Sequence, residues 1–362
     1  MSRPLLIAAG GTGGHMFPAL AVAAELRRRG AEVAFLTDPR GARFATGEPG
    51  LTVIGAAAPR GSVLDRLRAL VALAAGLARS LVAVGRLRPA AAAAFGGYAS
   101  VPAALAAVLR RVPLLVHEQN AVMGRANRLL ARLAARLALT FEGTEAVPAA
   151  AADRLLVTGN PVRPGFVPAG ARTAGDAERL GLLVLGGSQG ARILSDLLPA
   201  AVALLDPALR ARLAIAQQCR PEDLDRVAAA YRAIGQPVEL ATFFDDVPRR
   251  MAAADLVVGR AGASTIAELL ALARPALLIP YAAAADDHQS ANARALERAG
   301  AAIVLPQSEA TPEVCARLLA ALLGDAGRRR AMAAAAAQLA RPDAAARIAD
   351  ALLELARGEA KR

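Results

Sequence analysis

Short apolar runs alternate along the chain with longer stretches in which apolar residues recur at helical spacing. In the first half, the apolar runs predict strands at residues 5–9, 32–37, 90–95, 114–116 and 137–141. In the second half, they predict strands at residues 182–185, 213–217, 238–242, 256–258, 276–279 and 302–304. Strands that alternate with helices are typical of a parallel sheet covered on both faces. The sequence therefore predicts an α/β protein in which the two halves repeat one architecture.

The helical spacing predicts the helices of the first half and a last helix near the end of the chain, at residues 18–29, 64–87, 101–111, 124–136 and 343–356. Between the halves, residues 157–168 are rich in turn-forming residues. A chain of 362 residues is long enough for two domains of ordinary size. We place the first domain at residues 1–160 and the second at residues 161–342.

A glycine-rich loop follows the first predicted strand of each half. Residues 10–15 read Gly-Gly-Thr-Gly-Gly-His, and residues 186–192 read Gly-Gly-Ser-Gln-Gly-Ala-Arg. A buried strand, a glycine turn and a helix start together aim backbone N–H groups at phosphate or another polar ligand. We therefore predict two nucleotide-binding-type halves that face each other across a cleft.

Neither loop matches a common nucleotide fingerprint. The first loop lacks the Gly-x-Gly-x-x-Gly spacing of dinucleotide-binding proteins, and the chain has no Gly-Lys-Ser/Thr sequence. Asp38 does end the second predicted strand, where an acidic residue would bind the ribose in a dehydrogenase. A nicotinamide-dependent enzyme therefore remains an alternative at this point.

Polar side chains follow further strands of the first half. Residues 117–120 read His-Glu-Gln-Asn, and residues 96–100 form a third glycine turn, Gly-Gly-Tyr-Ala-Ser. The carboxyl ends of parallel strands face the ligand crevice, so we expect these residues at one site. His15 ends the first loop, where an imidazole can take a proton from a hydroxyl nucleophile. Its structural alternative is to cap the helix or to pack beneath the loop.

In the second half, residues 260–268 read Arg-Ala-Gly-Ala-Ser-Thr-Ile-Ala-Glu after a predicted strand. Ser264 or Thr265 is expected to cap the next helix, whose N-terminal amides favour an anion such as diphosphate. Glu268 is placed to accept ribose hydroxyl groups, although its spacing from Thr265 is also that of a capping box.

Residues 286–292 read Asp-Asp-His-Gln-Ser-Ala-Asn, and they follow the predicted strand at residues 276–279. Amides and carboxylates in this position suit the hydroxyl groups of a sugar, which need both donors and acceptors. The adjacent acids also resemble a metal-binding pair, but they are neighbours in sequence rather than one helical turn apart. We therefore predict no metal site.

The formal net charge is +12, which calls for an anionic partner or a solvated surface rich in arginine. No aromatic-interleaved basic motif or zinc-finger spacing is present, so nucleic acid is not a predicted partner. Cys219 and Cys315 lie far apart, which argues against a disulfide scaffold or a zinc site. Arginines interrupt the apolar stretches before about 18 residues accumulate, so no membrane span is predicted. With no signal-peptide pattern before the first strand, a cytoplasmic location is expected.

Taken in order, these motifs resemble those of the MurG family of peptidoglycan glycosyltransferases. The matching stretches span nearly the whole chain and comprise residues 10–15 with Phe17 and Pro18, 96–100, 117–120, 159–163, 186–192, 260–268 and 287–292. The resemblance implies a GT-B fold, which has two Rossmann-like domains with parallel sheets, an interdomain cleft and a C-terminal helix, here residues 343–357, that packs back on the first domain.

The resemblance also implies inverting transfer of N-acetylglucosamine from UDP-N-acetylglucosamine to the C4 hydroxyl of undecaprenyl-diphospho-muramoyl-pentapeptide, which converts lipid I to lipid II. No cofactor is obligatory, because fixed helix dipoles can stabilise the departing diphosphate. The implied partners are both substrates, anionic lipids of the inner leaflet and other cell-wall synthesis proteins. The implied location is the cytoplasmic face of the bacterial cell membrane, where the protein is peripheral.

The substrate-binding residues that the resemblance implies are Thr12, Gly13, Gly14, Asn120, Arg163, Ser188, Phe244, Ala263, Ser264, Thr265, Glu268 and Gln289. Most of the donor site lies in the second half. By this resemblance, the diphosphate is expected to face Ser188 and the helix that starts near Ala263, the ribose is expected to face Glu268, and the uracil is expected to face the backbone at Phe244. The sugar is held by Gln289 and Asn120.

His15 is the candidate for the catalytic base, and Glu118 is the rival. This chain departs from the family pattern at Ser264 and His288, where leucine and a second glutamine are frequent, so the fine sugar contacts are in doubt. A UDP-N-acetylglucosamine 2-epimerase and a non-catalytic sugar-nucleotide-binding scaffold are the alternatives, since both would share the architecture and the donor.

Residues 66–88 alternate apolar residues with arginines. An apolar helix face flanked by arginines can lie in the surface of a bilayer. The same pattern is also compatible with a core helix whose arginines are solvated.

Overall fold

The computed structural model describes residues 3–54, 63–166, 179–187 and 190–358. The chain divides into two compact units. The first unit comprises Met1–Arg163 with Arg341–Arg362, and the second comprises Pro164–Ala340. These boundaries lie within a few residues of those placed from the sequence.

The described part of the first unit contains a seven-stranded parallel sheet with the strand order β3-β2-β1-β4-β5-β6-β7. Its strands are β1 (Leu5–Ala8), β2 (Val33–Thr37), β3 (Leu51–Val53), β4 (Ala91–Ala94), β5 (Leu114–Glu118), β6 (Arg136–Leu139) and β7 (Leu155–Val157). The central strands are fully buried, as expected for a sheet with helices on both faces. The short strands β3 and β7, which the sequence did not predict, complete the two edges.

The helices of the first unit are α1 (Gly13–Arg28), α2 (Pro39–Ala42), α3 (Val63–Leu87), α4 (Ser100–Leu109), α5 (Arg125–Ala131) and the C-terminal α14 (Ala344–Arg357). One hydrophobic cluster joins the sheet to α4 and part of α3 and α5. A second cluster joins the opposite face to α1 and α14. The last helix of the chain therefore belongs to the core of the first unit.

The second unit repeats this plan with a six-stranded parallel sheet in the order β10-β9-β8-β11-β12-β13. Its strands are β8 (Leu180–Leu185), β9 (Leu213–Gln218), β10 (Val238–Ala241), β11 (Leu256–Gly259), β12 (Ala276–Leu278) and β13 (Ala302–Val304). Its helices are α6 (Arg192–Ala203), α7 (Pro207–Ala211), α8 (Leu224–Ala233), α9 (Val247–Ala253), α10 (Ala263–Ala271), α11 (His288–Arg298), α12 (Pro312–Leu323) and α13 (Ala326–Leu339).

In each sheet the chain first adds strands on one side of the first strand and then adds strands on its other side. The strand order therefore reverses between β1 and β4 in the first sheet and between β8 and β11 in the second. In an open parallel sheet, such a switch point leaves a crevice at the carboxyl ends of the strands, where ligands bind. The two glycine loops follow β1 and β8, so each lies at the switch point of its sheet. The prediction of an α/β protein with two Rossmann-like domains is confirmed.

The first helix begins earlier than the sequence predicted. A start at Pro18 was expected, but α1 begins at Gly13 and contains Pro18. Glycine is a poor helix former and proline lacks an N–H, so the local signal favoured a later start. Consequently Gly13, Gly14 and His15 form the first turn of the helix, with their N–H groups at the carboxyl edge of the sheet.

The expectation that no apolar stretch could span a membrane was wrong. Within the part of the chain that the structure describes, Leu70–Leu87 of α3 is long and apolar enough, with a mean hydropathy of 1.7 and 17% of the window buried. The window contains only two charged residues, Arg79 and Arg86, and these do not offset its leucines and valines. The core helix of a soluble protein meets the same criteria, and α3 does pack against the first-unit core through Leu81 and Val84.

The docking of α14 on the first unit can be tested at Leu352, which is fully buried in the cluster with α1. We expect Leu352→Ala to lower the free energy of unfolding by about 2–5 kcal/mol, because a buried leucine leaves a cavity. Glu354→Ala on the exposed face of the same helix should change it by less than about 0.5 kcal/mol. Urea denaturation of both variants measures the difference, and equal effects would contradict this packing.

Candidate active site

The first glycine loop and the third glycine turn pack against each other through their backbones. A Cβ atom on Gly97 would lie 2.7 Å from the carbonyl oxygen of Gly10, and Gly97 has a φ of +76°. The His15 ring fills the space beside this contact, since a Cβ on Gly96 would lie 3.0 Å from its Cδ2. The structure therefore brings together His15 and two loops that are more than eighty residues apart in sequence.

The hydroxyl of Thr12 lies 3.4 Å from Nδ1 of His15. Thr12 is exposed, Gly13 is buried and Gly14 is partly exposed. The imidazole and the loop backbone are thus at the ligand edge of the first sheet, where the sequence placed them.

Asp38 does not have the position of a ribose-binding acid. Its side chain is buried, and Oδ1 accepts hydrogen bonds from the backbone N–H groups of Gly11 at 2.9 Å and Gly41 at 2.8 Å. Arg40 donates to Oδ2 at 3.1 Å. The carboxylate therefore stabilises the first glycine loop and the start of α2. Asp38 was the feature that favoured a dehydrogenase, and this structural role removes that argument.

Glu118 ends β5 in a buried cage of donors. Its Oε1 accepts from the backbone N–H and side-chain amide of Asn120, at 2.9 and 3.1 Å. Its Oε2 accepts from the N–H of Gly124 at 3.0 Å and from the side-chain amide of Asn127 at 2.8 Å. The carboxylate therefore organises the loop that carries Asn120.

Asn127, which was not predicted from the sequence, contacts residues of the candidate site. It is 3% exposed on α5, and its amide also donates to the carbonyl of His117 at 3.0 Å. A Cβ on Gly96 would lie 3.4 Å from its Nδ2. A polar residue on the helix directly after the His-Glu-Gln-Asn loop was the signal available in the sequence.

His117 is fully buried and structural. Its Nε2–H donates to the carbonyl of Gly159 at 3.1 Å, and its Nδ1 accepts from the side-chain amide of Gln119 at 3.0 Å. Burial lowers the pKa of His117 from 6.5 to about 4, so the ring is neutral at physiological pH. It fastens β5 to the segment that leads to Arg163.

Arg163 lies near the first glycine loop. Its Cζ is 4.5 Å from the centroid of the Phe17 ring. A Cβ on Gly13 would lie 2.7 Å from the same ring. The predicted substrate-binding residues Gly13 and Arg163 are therefore joined through one aromatic side chain of α1.

In the second unit, the predicted capping by Ser264 or Thr265 was wrong. The N-cap of α10 is Gly262, and no side chain caps it. Ala263, Ser264 and Thr265 are instead the first three helical residues, so their backbone N–H groups belong to the set that has no intrahelical acceptor. Glu268 lies three residues after Thr265 and is 6% exposed.

Two polar side chains, the buried Asn292 and the half-buried Arg260, connect the start of α10 to the Gln289 region. The amide of Asn292, on α11, donates to the carbonyl of Ala261 at 3.1 Å. One amino group of Arg260 donates to the carbonyls of Ile279 and Pro280, at 3.0 and 2.9 Å. These three bonds join the segments that follow β11 and β12 to each other and to the first part of α11.

Gln289 is oriented by the backbone. Its Oε1 accepts from the N–H of Tyr281 at 3.0 Å, which leaves the amide NH2 as the group that can serve a ligand. The two residues that lead into α11, Asp286 and Asp287, have positive φ angles of 52° and 50°. Non-glycine residues in this region cost free energy and cluster at functional sites.

Phe244 follows β10 and is buried, with the guanidinium carbon of Arg250 at 4.3 Å from its ring centroid. Its neighbour Phe243 is 63% exposed. Ser188, the predicted diphosphate contact in the second glycine loop, lies outside the described residues. No group of three or more metal-ligating side chains occurs among the residues that the structure describes.

A cavity of about 710 Å³ lies elsewhere in the second unit. It is lined by the amino-terminal parts of β8 and β9 and by arginines such as Arg210 and Arg249. No residue of the predicted site lines it. Since ligands of parallel sheets bind at the carboxyl ends of the strands, we do not assign the substrate site to this cavity.

The chain's similarity to known proteins distinguishes between the sugar-nucleotide enzymes that share this architecture. Residues 5–139 match the glycosyltransferase family 28 N-terminal domain, and residues 181–348 match the glycosyltransferase family 28 C-terminal domain. A "UDP-N-acetylglucosamine--N-acetylmuramyl-(pentapeptide) pyrophosphoryl-undecaprenol N-acetylglucosamine transferase" from Granulibacter bethesdensis is 47% identical over 96% of this chain and 92% of its own. A relative with the same description from Methylorubrum extorquens is 49% identical over 97% of both chains.

The chain belongs to the MurG family. The crystal structure of Acinetobacter baumannii MurG is 31% identical, has a TM-score of 0.80 and covers 97% of this chain and 99% of its own. The prediction of a glycosyltransferase of this family with a GT-B fold is thereby confirmed. A putative UDP-N-acetylglucosamine 2-epimerase from Listeria monocytogenes has a TM-score of 0.70 at 15% identity, over 100% of this chain and 98% of its own, and that likeness shows the fold alone.

The buried ring of His117 gives a pH dependence of stability that can be measured. Because burial lowers the pKa of His117 to about 4, the unfolded chain binds this proton between about pH 6.5 and 4 whereas the folded protein does not. The neutral His117 ring therefore contributes to the free energy of unfolding above about pH 6.5. This contribution, about 3 kcal/mol in total, is lost on acidification. His117→Gln should therefore lose less stability than wild type between about pH 7 and 4.5 in urea denaturation. Parallel losses in the two proteins would contradict this assignment.

Proposed function

We propose that the protein is the inverting transferase that moves N-acetylglucosamine from UDP-N-acetylglucosamine to the C4 hydroxyl of undecaprenyl-diphospho-muramoyl-pentapeptide. The product has a new β-1,4 bond and is the lipid II precursor of peptidoglycan. The observation that carries this proposal is the 47–49% identity, over nearly the full chain, to relatives named for this transfer. The two switch-point loops supply the kind of site that such a reaction needs.

The donor is bound mainly by the second unit in this proposal. The first-turn amides of α10, at Ala263, Ser264 and Thr265, face the diphosphate, because a helix N-terminus carries partial positive charge. Glu268 accepts the ribose hydroxyl groups, and the backbone at Phe244 contacts the uracil. Fixed dipoles of this kind stabilise the charge that develops on the departing UDP without a metal ion.

The sugar is held by Gln289, whose free amide NH2 donates to a hydroxyl oxygen, and by Asn120. From the first unit, Thr12, Gly13, Gly14 and Arg163 complete the substrate-binding set. Ser188 belongs to this set by resemblance to the family.

His15 is the proposed catalytic base. It takes the proton of the acceptor's C4 hydroxyl as that oxygen attacks the anomeric carbon, while the bond to UDP breaks on the opposite face. Glu118 is disfavoured in this role because its two oxygens already accept four hydrogen bonds from Asn120, Gly124 and Asn127. Accepting a proton would require it to give up part of the cage that shapes the loop.

The base can be tested by radiolabelled sugar transfer from UDP-N-acetylglucosamine to a synthetic lipid I analogue. We expect His15→Gln to lower kcat by about 100-fold or more, the usual contribution of a general base. Its affinity for UDP-N-acetylglucosamine, measured by calorimetry, should change less than about twofold, because the base acts on the acceptor. Normal turnover of His15→Gln, with turnover lost in a folded Glu118→Gln protein, would reverse the two roles.

The same assay separates the alternative functions. Label in the lipid phase establishes the transfer and the acceptor together. An epimerase would convert UDP-N-acetylglucosamine with no acceptor present, and a non-catalytic scaffold would bind the nucleotide sugar without turnover.

We also propose that the outer face of α3 lies on the anionic cytoplasmic leaflet, where the lipid acceptor resides. Leu70, Val71 and Val82 on this helix are exposed by 51–65%. Arg79 and Arg86 are exposed beside them. Apolar side chains flanked by arginines gain both hydrophobic and electrostatic free energy at such a surface.

Binding to anionic vesicles tests this face. We expect the double substitution Leu70→Asp with Val71→Asp to weaken vesicle binding by about tenfold or more, because two apolar contacts are replaced by charges that the leaflet repels. The matched control is Leu204→Asp, which replaces a leucine of the second unit that is 55% exposed. Sedimentation with vesicles measures binding, and unchanged binding of the double variant would remove α3 from the membrane-facing surface.

A further inference from the structure

Three side chains of the first unit form a stack beside the first glycine loop. The ring of Phe17 meets that of Phe44 edge to face, with centroids 5.5 Å apart and an interplanar angle of 83°. The guanidinium carbon of Arg163 lies over the Phe17 ring, 4.5 Å from its centroid. Phe17 is therefore the middle member, in contact with both the Phe44 ring and the Arg163 guanidinium.

The position of Phe17 is set by the glycine loop itself. Phe17 is the fifth residue of α1, and helical side chains lean toward the N-terminus. Its Cε2 would be 2.7 Å from a Cβ on Gly13, so the ring occupies space that only glycine at residue 13 leaves open. The ring is consequently fixed against the loop rather than free to follow Arg163.

Arg163 reaches this ring from the far end of the first half of the chain. It is the last residue of the first unit before the chain enters the second. A long side chain in such a segment has many rotamers, and ordering it costs conformational entropy. A ring that binds the guanidinium by its face limits those rotamers, while the N–H donors of the group stay in its plane.

We propose that Phe17 is a positioning residue that holds the Arg163 guanidinium at the first glycine loop for the diphosphate of the nucleotide sugar. This inference rests on the proposed function, in which Arg163 belongs to the substrate-binding set, and it adds that the guanidinium contacts the phosphate groups of the nucleotide sugar. Arginine recognises phosphate through paired N–H donors at the edge of the guanidinium plane. Phe17 contributes no contact to the substrate and acts through Arg163 alone.

A double-mutant cycle on UDP-N-acetylglucosamine binding tests this dependence. The four proteins are wild type, Phe17→Leu, Arg163→Met and the double variant, with dissociation constants measured by calorimetry. We expect Phe17→Leu to weaken binding about two- to fivefold, the range for a partly exposed cation–π contact. Arg163→Met should weaken it further, and the double variant should bind no more weakly than Arg163→Met alone.

Losses that multiply in the double variant, or no loss in Phe17→Leu when Arg163→Met does weaken binding, would overturn the inference and leave the proposed function intact. Wild-type protein that neither binds nor turns over UDP-N-acetylglucosamine would instead overturn the proposed function. Phe44→Leu is the matched control, because it removes an aromatic ring from the same stack without removing a contact to Arg163, and its effect should be smaller than that of Phe17→Leu.

A fluorination series at Phe17 separates the electrostatic contact from packing. Replacement by mono-, di- and trifluorophenylalanine withdraws charge from the ring face while nearly preserving its shape, so these proteins should fold as wild type does. We expect the affinity for UDP-N-acetylglucosamine to fall progressively along the series in wild-type background and to stay constant in Arg163→Met. A flat series in the wild-type background would show that the ring has no role in positioning the cation.

Discussion

The close backbone contact between two glycine turns is the constraint on which the first-unit site depends. Gly97 can lie against the carbonyl of Gly10 only because it has no Cβ, and its positive φ is a conformation that side-chain-bearing residues rarely adopt. This contact brings the loop after β1 and the loop after β4 to one point at the switch of the sheet. The His15 ring packs at that point, beside the first-turn amides of α1.

Around this contact, buried carboxylates accept hydrogen bonds from the loops and so fix the loop conformations. Asp38 fastens the first glycine loop, and Glu118 fastens the loop that carries Asn120. Each carboxylate is almost completely buried. Burial of a charged group costs much free energy unless its hydrogen bonds are satisfied. These acids therefore contribute order to the site, which agrees with the proposal that His15 rather than Glu118 is the base.

In the second unit, different polar side chains hold the loops at the carboxyl edge of the sheet. Arg260 and Asn292 tie the ends of strands to the starts of helices, and Tyr281 turns Gln289 so that its amide NH2 is available. The first turn of α10 has no capping side chain, and in the proposed function its amides face the diphosphate. Two unrelated sets of side chains thus support one backbone plan, in which strand ends and helix starts provide the polar surface.

The sequence by itself determined the class of fold, the two repeated halves and the position of the glycine loops, because strand and helix periodicities and glycine turns are local signals. The motif resemblance likewise identified the family. The signals for edge strands and helix starts were weaker. A three-residue strand such as β3 is too short to show a periodicity. Gly13 and Pro18 are unfavourable in helices, so the start of α1 was predicted too late.

Only the tertiary structure decided what each polar side chain does. From the sequence, Glu118 and His15 were both candidates for the catalytic base. In the structure, Glu118 accepts hydrogen bonds from Gly124 and Asn127, which the sequence pattern did not predict. The stack of Arg163 on Phe17 joins residues far apart in the chain. That stack depends on which segments the fold brings together, which is a property of strand order rather than of local sequence.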